Sequence, residues 1–272
     1  MLRSMYSGVS GMKGFQTKLD VIGNNISNVN TVGYKKSRTV FQDALSQNLS
    51  GVTAPEEMER GGINPQQVGL GTTMGSIDVL HTPGSPMTTG VMTDLSIEGD
   101  GFFIVSPDGD NPDDVLLTRA GNFTRDAAGN LVTSNGYLVQ GEGGPIVIDE
   151  DMVSFEIARN GDVIGVDQDG EAEVIDTLVV GFVQNPSGLR KVGGSMFELT
   201  ANAHPEGEFE PMILDDAEGR QTQIIAGQLE MSNVDLTEEF TEMIIAQRGF
   251  QANSRTITTS DEVLQEVVNL KR

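Results

Sequence analysis

Residues Leu19–Lys35 read LDVIGNNISNVNTVGYK, and this stretch decides how the chain is laid out. Its first half keeps the apolar spacing of a helix, while its second half gathers Asn24, Asn25, Asn28 and Asn30 within seven positions. Asparagine is poor inside a helix because its side chain bonds to nearby backbone, and for that reason it ends helices and shapes turns. Gly33 adds a position free to take positive φ. The pattern predicts an N-terminal helix that stops at a specified corner.

Upstream of the corner, Leu2, Met5, Val9, Met12, Leu19 and Ile26 form a stripe of about heptad spacing, with Phe15, Ile22 and Val29 in a neighbouring row. A second stripe closes the chain, with Leu236, Met243, Phe250, Ile257 and Leu264 recurring at seven-residue intervals and Phe240 and Ile244 beside them. Asn233 or Asp235 can cap this helix, and Glu238 and Glu239 suit its positive first turn. Gln247, Ser254 and Asp261 occupy other core positions of the stripe, so a two-helix coil alone is weak and calls for further partners.

Between the helices, short alternating segments such as 95–105, 122–125, 130–139, 155–157 and 177–182 are separated by Asp-Gly, Asn-Gly and other Gly-rich turns. They predict an all-β body. Residues 46–71 follow neither period and read as a long loop. Because the two helices can pair only if the body is inserted between them, the expected fold is mixed and mainly β. It is a coiled stalk of N- and C-terminal helices carrying an inserted β domain. The expected divisions are 1–33 with 234–272 for the helices, 34–75 for a linker and 76–233 for the body.

The net charge of −23 argues against nucleic acid as a partner, since phosphate neutralisation needs clustered Lys and Arg. Most of the acidity lies in the middle, whereas residues 1–50 hold six basic against two acidic side chains. No apolar run is long enough for a membrane span, no cleavable signal is expected, and the chain has no cysteine.

Candidate chemistry resolves into bland readings. His81 and His204 are the only histidines and have no cysteine to complete a zinc set. Asp108, Asp110, Asp113 and Asp114 surround a proline that breaks any calcium loop. Asp167, Asp169 and Glu171 precede Ala172, where such a loop needs Gly. GLGTTMG, residues 69–75, misses the dinucleotide spacing. Lys35, Lys36 and Arg38 form a basic cluster that either faces water or meets acidic groups of a neighbour. No catalytic, cofactor or metal residue is expected.

The stretch LDVIGNNISNVNTVGYK resembles the signature of the flagellar hook and rod axial family, with Asn24, Asn25, Asn28, Thr31, Gly33, Tyr34 and Lys35 as its corner. TDLSIEGDGFFIV at 93–105, TRAGNFTRDAAGNLVTSNGYLVQG at 118–141 and the segment 229–270 are similar to the same family's strand blocks and last helix. The resemblance implies a tubular homopolymer in which the two stripes form the polymerisation seam, completed by neighbouring subunits, so that the N- and C-terminal helices of the stalk are partly disordered in the monomer. It also implies export by the flagellar type III apparatus, an extracellular place in the hook or basal body, and rod, hook-cap and hook–filament junction proteins as partners.

Within the family, the opening MLRSMYSGVSGM and the text GGINPQQVGLGT at 61–72 look like a hook subunit, a flexible joint transmitting torque. The length of 272 residues is close to that of the distal rod protein, a rigid shaft, which is the alternative. A carbohydrate-processing or metal-binding β protein using the acidic clusters is the competing reading from another class.

Overall fold

The computed structural model describes residues 2–52, 61–107, 115–149, 152–168, 170–204, 212–214 and 222–270. The chain forms two compact units. One comprises residues 1–27, 37–78 and 235–272; the other comprises 28–36 and 79–234.

The first unit holds both expected helices, α1 (Leu2–Ser27) and α2 (Leu236–Asn269). Of the two cap candidates it is Asp235 that caps α2, its side chain accepting the Thr237 N–H at 2.8 Å, with Glu238 and Glu239 in the first turn. The same unit contains strands β1 (Ser37–Asp43), β2 (Ser46–Ser50), β3 (Gln66–Gly69) and β4 (Thr72–Val79). β1 pairs with β4, and β2 pairs antiparallel with β3. The long loop expected over 46–71 is therefore corrected, within its described residues, to the two arms of a ribbon. Its short strands are exposed on both faces, with Leu49 and Val68 as their only apolar side chains, so no two-residue period stands out in the sequence. Residues 37–78 group with the helices rather than standing apart as a linker.

The second unit is built on antiparallel strands, as the turn rhythm predicted. Its frame includes β5 (Pro86–Thr88), β6 (Leu95–Glu98), β7 (Phe102–Ser106), β8 (Leu116–Thr118), β9 (Thr124–Arg125), β10 (Leu131–Val132) and β11 (Leu138–Gly141). β12 (Gly144–Pro145) follows, then β13 (Ser154–Ile157), β14 (Asp162–Val166) and β15 (Ala172–Thr177), which make a three-stranded sheet. β16 (Val179–Gly181), β17 (Arg190–Gly193), β18 (Met196–Glu198), β19 (Met212–Ile213), β20 (Gln223–Ala226) and β21 (Gln228–Glu230) complete the order. The main sheet runs β17-β18-β8-β7-β11-β10-β9. β20 pairs with β6 and β21 with β5.

The continuous strand expected from Leu95 to Val105 is broken at Gly99 and Gly101, both at positive φ; a Cβ on Gly101 would lie 2.4 Å from Val180. β7 is buried on both faces. Phe103 and Val105 enter the larger core with Leu95, Phe123 and Leu131, while Phe102 and Ile104 enter a second core with Leu117 and Phe197. Each such side chain taken out of water contributes about 1.5–3 kcal/mol.

Candidate functional site

The helices of the first unit lie antiparallel, as their facing residues show. Gly8 faces Ile257, Gly11 faces Asn253, and Phe15 faces Gly249. Farther along, Lys18 pairs with Glu242 and Asn25 with Glu239. Glycine sets how closely the helices approach: a Cβ on Gly249 would fall 2.6 Å from the Phe15 ring, and one on Gly11 2.9 Å from the Asn253 amide. Phe15 also packs on Phe41 of β1 with ring centroids 5.9 Å apart. This glycine seam was missed in the sequence because the heptad search counts large apolar residues only.

The predicted stripe residues divide between two environments. Met5, Met12, Leu19, Ile26, Met243, Ile257 and Leu264 are half-buried. Val9, Leu236, Phe240 and Phe250 are exposed, at 51%, 39%, 50% and 37%. Ile244, Ile245, Val267 and Val268 of α2 are exposed beside them. The side chain of Leu2 lies outside the described residues. The ribbon adds Leu45, Leu49, Val68 and Leu70, all exposed. A two-stranded ribbon with no covered face is marginal in water.

Asn25 anchors the end of α1. Its amide donates to the Ser37 carbonyl at 2.9 Å and to the Glu239 carboxylate at 3.2 Å, while its oxygen accepts the Ser37 N–H at 3.0 Å. Asn24 is exposed.

The rest of the signature belongs to the second unit. Thr31 donates from its hydroxyl to the Asn28 side chain at 3.1 Å and from its N–H to the Asn28 carbonyl at 3.2 Å, and the Tyr34 N–H reaches Thr31. Gly33 has φ of +66°, and a Cβ there would sit 2.5 Å from the Ala120 backbone nitrogen. Only glycine fits on both counts.

Lys35 is buried, at 1% exposure, and so is not part of a solvated basic cluster. Its ammonium pairs with Glu230 and donates to the Thr82 carbonyl at 2.8 Å. Glu230 also accepts from Arg119 at 3.2 Å and from the Gly84 N–H at 2.9 Å, and its backbone carbonyl takes the Gly33 N–H at 2.8 Å. Arg119 is further fixed by the carbonyls of Ile97 and Gly99. Burial pushes the Lys35 ammonium below its ordinary value, only partly offset by Glu230. Burial would raise the Glu230 carboxyl, but the charges of Arg119 and Lys35, with the donors from Lys35 and Gly84, hold it below its ordinary value.

Lys36 is tied as well. Its N–H donates to Asn233 Oδ1 at 2.7 Å, Asn233 donates to the Leu80 carbonyl at 2.8 Å, and the Leu80 N–H returns to the Lys36 carbonyl at 2.9 Å. Lys191 donates to the Lys35 carbonyl at 2.9 Å and lies 4.7 Å from the centre of the Tyr34 ring. Glu230, Arg119 and Asn233 were not singled out from the sequence as members of this cluster, since none carries a local motif for it.

Among the described residues no group of three or more His, Cys, Asp or Glu is placed to hold a metal ion, and no helix is long and apolar enough to cross a membrane. Asp108, Asp110, Asp113, Asp114 and Asp169 lie outside the described residues.

Three family descriptions match the chain. Residues 5–35 match the flagella basal body rod protein family. Residues 96–165 match the D1 domain of flagellar hook protein FlgE/F/G, and residues 225–270 match the C-terminal region of flagellar basal body rod FlgEFG protein. The flagellar basal-body rod protein FlgG of Bacillus subtilis is 49% identical over the full length of both chains. FlgG of Borreliella burgdorferi is 38% identical, again over all of both chains. The flagellar hook protein FlgE of Treponema pallidum is 45% identical over 65% of this chain and 38% of its own length. The helices that bracket the sequence, the corner between Asn24 and Lys35 and the β body between them thus belong to one lineage: this chain is a member of the flagellar hook and basal-body rod protein family, a structural protein of the flagellum.

Proposed function

We propose that this chain is a subunit of the flagellar rod, in its distal part, and that it polymerises with copies of itself into a rigid shaft. The observation that carries the reading is the end-to-end match with a basal-body rod protein at 49% identity, whereas the Treponema pallidum hook protein matches over only 38% of its own length and the Borreliella burgdorferi hook protein, matched end to end, is only 28% identical. The hook reading drawn from the sequence gives way to the rod reading on this ground.

The exposed apolar residues of the first unit support assembly. Leu236, Phe240 and Ile244 leave an apolar face on α2, and contiguous patches of this kind mark interaction surfaces. In the polymer, neighbouring copies complete the faces that α1 and α2 leave open, so the seam is shared between subunits. Rod and hook proteins at its two ends, and the export apparatus that delivers it without a cleaved signal, are the partners this role requires. Its place is in the appendage.

The test is electron cryomicroscopy of hook–basal bodies from cells whose copy of this protein carries a small tag in the β body. Density confined to the straight rod supports the proposal. Density along the curved hook restores the hook reading, and its absence from both structures overturns the axial role.

A further inference from the structure

His81, in the second unit, is explained by neither assembly nor the corner. Its imidazole packs edge-on against both Phe102 and Phe197, with centroids 5.5 Å and 5.1 Å away, and those two rings also meet each other at 6.0 Å. Both ring nitrogens are buried, and neither has a well-formed hydrogen bond among the described residues. A buried imidazole without a partner is costly, because its polar atoms have left water for nothing.

Its surroundings favour the neutral ring. Lys35 of the signature segment, Lys191 of β17 and Arg119 after β8 all act on it with positive charge. Asp100, Gln184 and Pro186 line a cavity of about 310 Å³ beside it, and the Pro186 carbonyl favours the charged form slightly. The Glu230 carboxylate is already engaged by Lys35 and Arg119. Burial first, and then these three cations, lower the His81 pKa to about 4.

Both residues that flank His81 bind the signature segment. The Leu80 N–H binds the Lys36 carbonyl, the Thr82 carbonyl receives the Lys35 ammonium, and Asn233 ties the Leu80 carbonyl to the Thr82 hydroxyl. A movement of residue 81 therefore pulls on both of these attachments.

We propose that His81 is an acid-operated release for the signature segment. A proton from solvent adds to the free ring nitrogen, leaving two N–H donors among three cations, more than the Pro186 carbonyl can accept. The imidazolium leaves its place against Phe102 and Phe197, residues 80–82 follow it, and the bonds of Thr82 to Lys35 and of Leu80 to Lys36 are lost. At neutral pH the same packed ring holds the segment docked.

Amide hydrogen exchange on the full chain tests this, with rates corrected for the intrinsic effect of pH. In the wild type, protection of residues 28–36 and 79–84 should fall roughly tenfold or more as pH drops from 6.5 to about 4. His81→Phe keeps the aromatic contacts without a proton to gain, and should hold protection across that window. Equal losses in wild type and variant would overturn the proposal. If His81→Phe does not fold, the remaining histidine, His204, can be replaced by Gln and the His81 ring titrated by NMR. A midpoint near 4 supports the release, and one at the ordinary 6.5 overturns it.

Discussion

Lys35 and Glu230, 195 residues apart, form a buried ion pair that closes the second unit around the signature segment. The backbone carbonyl of Glu230 simultaneously accepts the Gly33 N–H, so the segment is gripped by both main chain and side chain of one residue. Breaking a buried pair strands a charge, which typically costs about 3–5 kcal/mol. Glu230→Gln, which leaves both Lys35 and Arg119 without their countercharge, is expected to lower stability more than Lys35→Met. Urea denaturation of both variants checks this, and losses below about 1 kcal/mol would contradict the burial of the pair.

Acid should act on the same pair with a defined sign. The Glu230 carboxyl is held below its ordinary value of 4.5 in the fold, so its contribution is fully present above 4.5 and is lost as pH falls through the folded value. Denaturation midpoints should drop steeply at the acid end in the wild type and less steeply in Glu230→Gln. Parallel acid limbs would show that other carboxylates dominate.

The glycines of the helices predict effects of opposite direction. A methyl on Gly249 meets the Phe15 ring, so Gly249→Ala should destabilise the first unit by about 1–2 kcal/mol despite the better helix propensity of alanine. A methyl on Gly23 of α1 would meet nothing within 4 Å, so Gly23→Ala should stabilise by roughly 0.5–1 kcal/mol. Helix content followed by circular dichroism during thermal melting decides both signs.

The assembly role predicts a separation of folding from polymerisation. Phe240 is 50% exposed, so Phe240→Asp should leave the β body and helix pair folded while abolishing polymer seen by sedimentation and electron microscopy. Phe250→Asp should do the same with a somewhat larger cost to the fold, since more of its ring is covered. Polymer formed normally by both variants would remove α2 from the seam.

What the sequence disclosed depended on how local each signal is. Both helices were legible because their stripes repeat within a few turns, and the end of α1 because four asparagines crowd together. The hairpins announced themselves through turns such as Asn135-Gly136 and Asn160-Gly161, whose amides close where expected. The burial of Lys35 was hidden, since its partners Glu230, Thr82 and Arg119 come from remote strands and loops. A lysine beside Lys36 and Arg38 looks solvated until the fold supplies a carboxylate. His81 carries no local motif either, and only the aromatic rings packed against it reveal a buried imidazole whose nitrogens lack a well-formed partner.

The amide of Asn25 carries a consequence for how long the part lasts. It bridges Ser37 and Glu239 by giving two protons and taking one. Spontaneous hydrolysis of that single group to aspartate would replace both donated protons with another oxygen, set against the Ser37 carbonyl and the Glu239 carboxylate. Chemical ageing at one position would thus turn an adhesive contact into a repulsive one. The near-complete burial of Asn25, at 1% exposure, keeps water away from the bond on which the durability of the helix end depends.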